Sequence, residues 1–177
     1  MALRSFQGSD LDTLGDALDI AEDVTGNYYK FSHRQWRRYR YDVRTLPLLS
    51  CQEISEGVFA LLNKGFVVKD EGDPIPRTVD HYSICVQDHQ VLEAVSRDAD
   101  ISLLPLMIYV FTHELVHIVR FSNFLQRFEL PWFKREEEEK AVHDITHEIL
   151  RKIAIPRLGH VLSAYKGHRT CRLSGLC

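Results

Sequence analysis

The sequence predicts an α+β protein that is mostly helical, with a small antiparallel sheet packed on one buried helix and a second helix antiparallel to it. Three observations predict this class. Apolar residues recur at helical spacing near the N-terminus, β-branched and aromatic runs lie among glycine and proline turns in the middle, and two long helical patterns follow. The 177 residues, 45% hydrophobic and 27% charged, have the composition of one soluble globular domain.

The predicted single domain, residues 1–177, divides into three parts. An N-terminal helical part covers about residues 9–64, and the sheet with a metal-binding helical hairpin covers about residues 65–156. Residues 157–177 are rich in glycine, arginine and serine and contain two of the four cysteines, so we predict a flexible tail there.

Two amphipathic helices are predicted in the N-terminal part. From Leu11 to Val24, apolar residues recur every three or four positions, aspartates fall mainly on the other side, and Gly26 is placed to end the helix. A second helix is predicted between Ser50, a favoured N-cap residue, and Gly65, a favoured C-cap residue.

The middle of the chain predicts the strands. Phe66–Val68 is a short apolar run followed by a region of glycine and proline turns, which predicts one strand. Tyr82–Val86 and Val91–Val95 flank the polar residues 87–90, and this arrangement is typical of a β-hairpin.

The two long helices form the C-terminal half of the predicted domain. The first extends from near Ser102 to near Gln126, and the second from near Lys134 to near Ala154. The apolar stretch 101–119 is interrupted by proline, histidine and glutamate, which indicates a core helix and argues against a membrane span.

One motif on the first long helix indicates metal chemistry. His113, Glu114 and His117 form the pattern H-E-x-x-H within an almost continuous apolar run. Positions i and i+4 of a helix share one face, so both imidazoles can bind one metal ion. Glu114 then lies beside the metal, where it can take a proton from metal-bound water as a general base.

A third metal ligand is expected from the second long helix. In an antiparallel hairpin that turns near Leu130, residues equally far from the turn face each other, which places His143 opposite His117. Glu139 lies one turn earlier on the same stripe and stays within reach if the turn is tighter. Glu138 falls on the apolar stripe of this helix and ranks behind both. The sequence leaves His143 and Glu139 open as alternatives.

The segment His113–His117 resembles the active-site helix of the zincin metallopeptidases, and the sheet predicted before it resembles the zincin layout. The resemblance implies one Zn²⁺ per chain bound by His113 and His117, with Glu114 as general base, and a peptide or protein substrate. The downstream glycine and third histidine of metzincins are absent, since Arg120 and Asn123 occupy those positions. This departure favours a gluzincin-like arrangement, in which the resemblance implies a glutamate ligand, Glu139 or Glu138.

Two alternatives to a zinc hydrolase follow from the same helices. His143-Asp144-x-x-His147 repeats the pattern of the first motif, so Glu114 and His117 with Asp144 and His147 could build a dinuclear, di-iron-like site. Such a site needs further acids from other helices. The candidates for those acids are Glu22, Glu53 and Glu56. The other alternative is a binding or regulatory protein whose metal is structural and held by four protein ligands.

Partners and compartment are predicted from composition. The net charge of −3 argues against nucleic-acid binding and membrane association, although residues 33–44 interleave arginines with aromatic residues. We expect these arginines to contact acidic helices of the same chain. The first ten residues lack an apolar signal core and the cysteines form no C-x-x-C pair, which predicts a cytoplasmic protein with free thiols. The small size suggests that a homodimer could complete the site.

Overall fold

A computed structural model describes residues 3–69, 77–123, 131–166 and 171–173. It has an α+β fold, as predicted. The helices are α1 Ser9–Tyr29, α2 His33–Trp36, α3 Asp88–Arg97, α4 Leu103–Ser122, α5 Trp132–Leu150 and α6 Leu158–Ala164, and the strands are β1 Tyr41–Arg44, β2 Ala60–Lys69, β3 Arg77–Val86 and β4 Cys171–Leu173.

Helix α4 is the centre of the fold. Every residue from Pro105 to Val119 is buried, and helices α1, α3, α5 and α6 all pack against it. A helix that is apolar on all sides needs such cover. α4 is long and apolar enough to cross a membrane by length and composition, but 83% of its apolar window is buried inside the protein. This is the pattern of a core helix in a soluble protein, as the sequence predicted.

Helix α1 packs one face on α4 through Leu14, Ala17 and Ala21. The small alanine side chains allow the two helices to approach closely. The predicted end at Gly26 is wrong, because α1 continues to Tyr29 and is ended by Lys30 in the left-handed conformation (φ 56°).

The four-stranded sheet is mixed, with strand order β1-β3-β2-β4. β2 and β3 are antiparallel along their whole length, whereas β1 and β4 are parallel to their neighbours. The predicted antiparallel pairing therefore describes the central pair only. The predicted strand Phe66–Val68 is confirmed as part of β2.

The predicted helix from Ser50 to Gly65 is wrong, and with it the helical character of the N-terminal part up to residue 64. The backbone N–H and the hydroxyl group of Ser50 donate hydrogen bonds to Glu53 Oε2, as at the start of a helix. The turn does not continue, however, and β2 begins at Ala60. Leu61 packs on one side of the sheet with Cys85, whereas Leu62 packs on the other side in the main core. A strand covered on both faces has a continuous apolar run, which periodicity does not distinguish from a buried helix.

The predicted hairpin of Tyr82–Val86 with Val91–Val95 is also wrong. The first segment belongs to β3, but the second lies in α3, where Val91 and Ala94 are buried at helical spacing. Asp88 in the first turn of α3 accepts hydrogen bonds from the backbone N–H groups of Phe6 and Leu46. These bonds tie the start of the chain and the segment after β1 to α3.

The predicted flexible tail, residues 157–177, is wrong for its first part. Helix α6 lies there, and its Leu158, Val161 and Leu162 are buried against α4. β4 then pairs with Ala60–Leu62 of β2. Cys177 lies outside the described residues.

Replacing Asp88 by alanine is expected to lower the free energy of unfolding by about 2–6 kcal/mol, because two backbone donors lose their acceptor, at about 1–3 kcal/mol each. Asp88→Asn keeps one carbonyl oxygen and should cost about half as much. Urea denaturation measures both variants. Equal stability of Asp88→Ala and the wild type would show that these bonds do not hold the three segments together.

Candidate metal centre

Helix α4 places His113 and His117 on one face, one turn apart. Their Nε2 atoms are 3.2 Å apart, and both side chains are fully buried. Two imidazole nitrogens this close, on two fully buried side chains, are arranged to share one proton or one cation. The structure thus brings together the two histidines that the motif predicted.

Glu139 on α5 faces both histidines. Its Oε2 lies 3.4 Å from His113 Nε2, and its Oε1 lies 3.4 Å from His117 Nε2. The donor atoms of these three residues all lie within 4.8 Å of one another, close enough to converge on a single ion after small side-chain rotations. Of the two ligands that the sequence left open, Glu139 is the one in this cluster.

The register between α4 and α5 explains why the predicted position of His143 is wrong. Tyr109 contacts His143, His113 contacts Glu139, and Arg120 contacts Glu138, so the helices are antiparallel as predicted. The pairing is offset by one to two turns from the predicted one, because His143 faces Tyr109 instead of His117. This offset brings Glu139 to the motif.

His143 lies beside the cluster without belonging to the set of three. The centroid of its ring is 4.7 Å from that of His113, and its Nδ1 is 3.0 Å from the hydroxyl oxygen of Tyr109. Tyr109 is fully buried, so this hydrogen bond fixes the orientation of the imidazole. His147, expected opposite His113, is instead half-buried near the backbone of Leu162 on α6.

Glu114 is fully buried on α4 directly after the first histidine. Its carboxylate is close enough to contribute to the electrostatic environment of His117, whose pKa it helps to raise. The motif's predicted base therefore shares the buried environment of the two imidazoles.

The electrostatics of the site favour a cation. Burial lowers the pKa of His113. Burial acts in the same direction on His117, but the nearby carboxylates of Glu138 and Glu139 outweigh it and raise the pKa of His117 to about 10. Burial opposes ionisation of Glu139, yet the two histidines hold its pKa well below the usual range. The site therefore carries ionised carboxylates that a divalent cation can neutralise by displacing the proton on His117.

The buried Glu138 and the partly buried Arg120 form an ion pair beside His117. Arg120 Nε donates to Glu138 Oε1 and a terminal nitrogen donates to Oε2, each at 2.8 Å. Glu138 Oε1 also lies 3.7 Å from His117 Nδ1, on the side of the ring that faces away from Glu139. Burial opposes its ionisation, but the hydrogen bonds from Arg120 and the nearby His117 imidazole lower the pKa of Glu138 to about 2. A carboxylate at the second ring nitrogen orients a metal-binding histidine.

Glu138→Gln is expected to lower zinc affinity by about 10–100-fold, because His117 loses the charged group that orients its ring. Glu137→Gln is the matched control, since the neighbouring Glu137 is exposed. Competition with a chromophoric zinc chelator measures both affinities. If the two variants bind zinc equally well, Glu138 does not act on the site through His117.

The acids that a dinuclear site would need lie elsewhere in the described residues. Asp144 is exposed, and so is Glu56. Glu22 is bonded by the hydroxyl group of Tyr41, and Glu53 is paired with Arg44. Two candidate ligand groups occur among the described residues: the largely buried His113, His117 and Glu139, and the largely exposed Asp98, Asp100 and His160. Neither group has the acid set of a di-iron site.

The sequence reasoning missed two supporting residues, Arg120 and Tyr109. Arg120 follows His117 by one turn of α4, so its position on the motif's face was a usable signal. Tyr109 precedes His113 by one turn of α4, so helical spacing was a usable signal for it as well.

No protein family, curated protein or solved structure shows a significant match to this chain.

Proposed function

We propose that the protein is a cytoplasmic zinc-dependent hydrolase, most specifically a metallopeptidase that binds one Zn²⁺ per chain. The observation that carries this proposal is the convergence of His113 Nε2, His117 Nε2 and the Glu139 carboxylate within 4.8 Å, next to the buried Glu114. Two histidines and one glutamate are a ligand set of catalytic zinc sites, which leave a fourth position for water.

Each residue has a role that its surroundings support. Zinc would supply a Lewis acid and a water of lowered pKa. Glu114 takes the proton from the attacking water and passes it to the leaving amine. His143, held by Tyr109 beside His113, is the side chain best placed to donate a hydrogen bond to the developing oxyanion.

The approach of a substrate is limited to one side of the cluster. His113 and His117 have no exposed surface, whereas the side chain of Glu139 is 15% exposed and His143 is half-buried. We infer that a peptide carbonyl group reaches the site from the α5 side, past Glu139 and His143.

A mixture of quenched fluorescent peptides tests the proposal. The zinc-loaded protein should cleave members of the mixture, 1,10-phenanthroline should abolish cleavage, and added Zn²⁺ should restore it. Cleavage that is indifferent to the chelator would contradict a zinc mechanism. The site of cleavage, read by mass spectrometry, would identify the bond class.

A structural metal is the second candidate, and complete burial of His113, Glu114 and His117 favours it. A structural site is closed by four protein ligands, and His143 is the nearest additional donor. X-ray absorption spectroscopy of the zinc-loaded protein separates the two cases. A coordination shell with two imidazoles and a water oxygen supports the hydrolase, and a shell with three imidazoles supports the structural site.

A further inference from the structure

The basic aromatic segment between α1 and β1 is not used by the proposed chemistry. From Lys30 to Tyr41 the chain contains five cations and no acidic residue, although the net charge of the protein is −3. We expected its arginines to contact acidic helices of the same chain. That expectation is wrong for four of them, because Arg34, Arg37, Arg38 and Arg40 are exposed and form no salt bridge within the described ranges. These four residues are named the arginine surface.

The fold holds the arginine surface in a defined shape. Ser32 and Gln35 form a reciprocal capping box that fixes the turn of α2. The aromatic rings of the segment pack on one another, with centroids of Phe31 and Tyr39 5.2 Å apart and of Trp36 and Tyr39 5.5 Å apart. The aromatic side chains thus form the inner layer, and the arginines are left on the outer one.

The arginine surface lies close to the end of the metal-binding helix. The hydroxyl group of Tyr39 donates to Asn123 Oδ1 at 3.2 Å, and Asn123 caps the C-terminus of α4. Arg38 lines a surface cavity of about 350 Å³ together with Asn123. Asn123 lies about 9 Å further along α4 than His117 (~1.5 Å per residue), a length that about three residues of extended peptide would span.

We propose that the arginine surface binds an acidic segment of the polypeptide substrate, at least about three residues from the bond that is cleaved. This proposal rests on the proposed function, because it names the substrate class of the same site. Four exposed guanidinium groups that form no ion pair with a carboxylate of the described residues complement several carboxylates in a row.

Two observations favour an acidic peptide over a nucleic acid. Single-stranded nucleic acids stack their bases on free aromatic faces, but the rings of this segment already stack on one another. Acidic residues of α1 also lie next to the segment, since Asp19 and Asp23 share a surface cavity with His33 and Trp36. A longer polyanion has more charges near these acids than a short acidic segment has, which disfavours a long phosphate backbone.

The test measures binding separately from hydrolysis. The full-length Glu114→Gln variant, loaded with zinc, is titrated into a fluorescein-labelled peptide with four consecutive glutamates, into the same peptide with glutamines, and into an oligothymidylate of equal charge. Fluorescence anisotropy reports the affinity at about 50 and about 300 mM NaCl, because added salt screens exposed ion pairs.

The expected result is tighter binding of the glutamate peptide than of the other two probes, with loss of affinity at high salt. Replacing the arginine surface by glutamine at all four positions should weaken binding of the glutamate peptide about tenfold, since each exposed contact contributes a factor of about two. The matched control replaces the four exposed cations Arg97, Arg151, Lys152 and Lys166 by glutamine, which removes the same charge at a distance from the C-terminus of α4. The control should bind within about twofold of the parent.

Three outcomes would overturn the proposal. Tighter binding of the oligothymidylate would assign the surface to nucleic acid. Equally weakened binding in the control variant would show a nonspecific charge effect. Unchanged binding in the variant that lacks the four arginines would exclude the arginine surface as the binding site. Replacing the same arginines by lysine keeps the charge and should preserve most of the binding. Binding of the acidic peptide without any cleavage would support the proposal for the arginine surface and contradict the hydrolase. Cleavage without selective binding of the acidic peptide would support the hydrolase and contradict the proposal for the arginine surface.

Discussion

Replacing Glu114 by glutamine is expected to reduce peptide hydrolysis by about 10²–10⁴-fold, the contribution of a positioned general base, while zinc stays bound. The amide has nearly the same shape as the carboxylate but does not take a proton from water. Glu114 is fully buried beside the two imidazoles, so a solvent-exposed carboxylate does not take its place there. Initial rates on a cleaved fluorescent peptide and zinc content measured on the same sample check the two halves of the prediction.

The control for this variant is Glu137→Gln on α5, which removes the same charge from an exposed position. It should retain both activity and zinc. Full hydrolytic activity in Glu114→Gln would mean that another group activates the water. Loss of zinc together with activity would show that Glu114 supports the site instead of acting in the reaction.

Glu139→Gln is expected to lower zinc affinity by more than about 100-fold, beyond the 10–100-fold cost of losing a residue that only orients a ligand. Glu139 contributes the only carboxylate whose two oxygens each face an imidazole Nε2 atom of the motif, at 3.4 Å, among the described residues. His143→Ala is the informative comparison, because His143 was an equal candidate for the third ligand on sequence grounds. It should retain zinc affinity within about threefold.

The pair of variants separates two coordination schemes. Loss of zinc in both would mean that His143 is a fourth ligand and that the site is closed, as in a structural metal site. Loss of zinc in His143→Ala alone would contradict the assignment of Glu139. Isothermal titration with Zn²⁺ in a competing buffer gives the affinities directly.

The elements that the sequence predicted well are the long ones. Helices α1, α4 and α5 have 19 to 21 residues each, and their apolar patterns extend over several turns. The H-E-x-x-H spacing depends only on the geometry of one helix, so the convergence of His113 and His117 could be predicted without knowing the fold.

The short elements could not be predicted in the same way. Ala60–Leu62 is buried on both faces of the sheet, and Val91–Val95 is a run of five residues that suits a strand or a helix equally. Their structures are decided by contacts that are distant in sequence, such as the bonds from Phe6 and Leu46 to Asp88. Local patterns contain no information about those partners.

The third ligand depends on the register between two helices, which is a tertiary property. A shift of one turn exchanges Glu139 for His143 opposite the motif, and both fit a metal site chemically. The Arg120–Glu138 pair does not separate the two registers, because these residues lie within one turn of facing each other in the predicted register as well.

The most direct test of a mononuclear zinc site is elemental analysis of the purified full-length protein, with His117→Ala measured in parallel. The structure predicts about one zinc per chain in the wild type, because one set of two histidines and one glutamate converges in the described residues. It predicts loss of that zinc in His117→Ala, with the fold checked by circular dichroism. A folded wild-type protein that takes up no metal, even after incubation with Zn²⁺, would contradict the account and leave His113, His117 and Glu139 as a buried hydrogen-bond network.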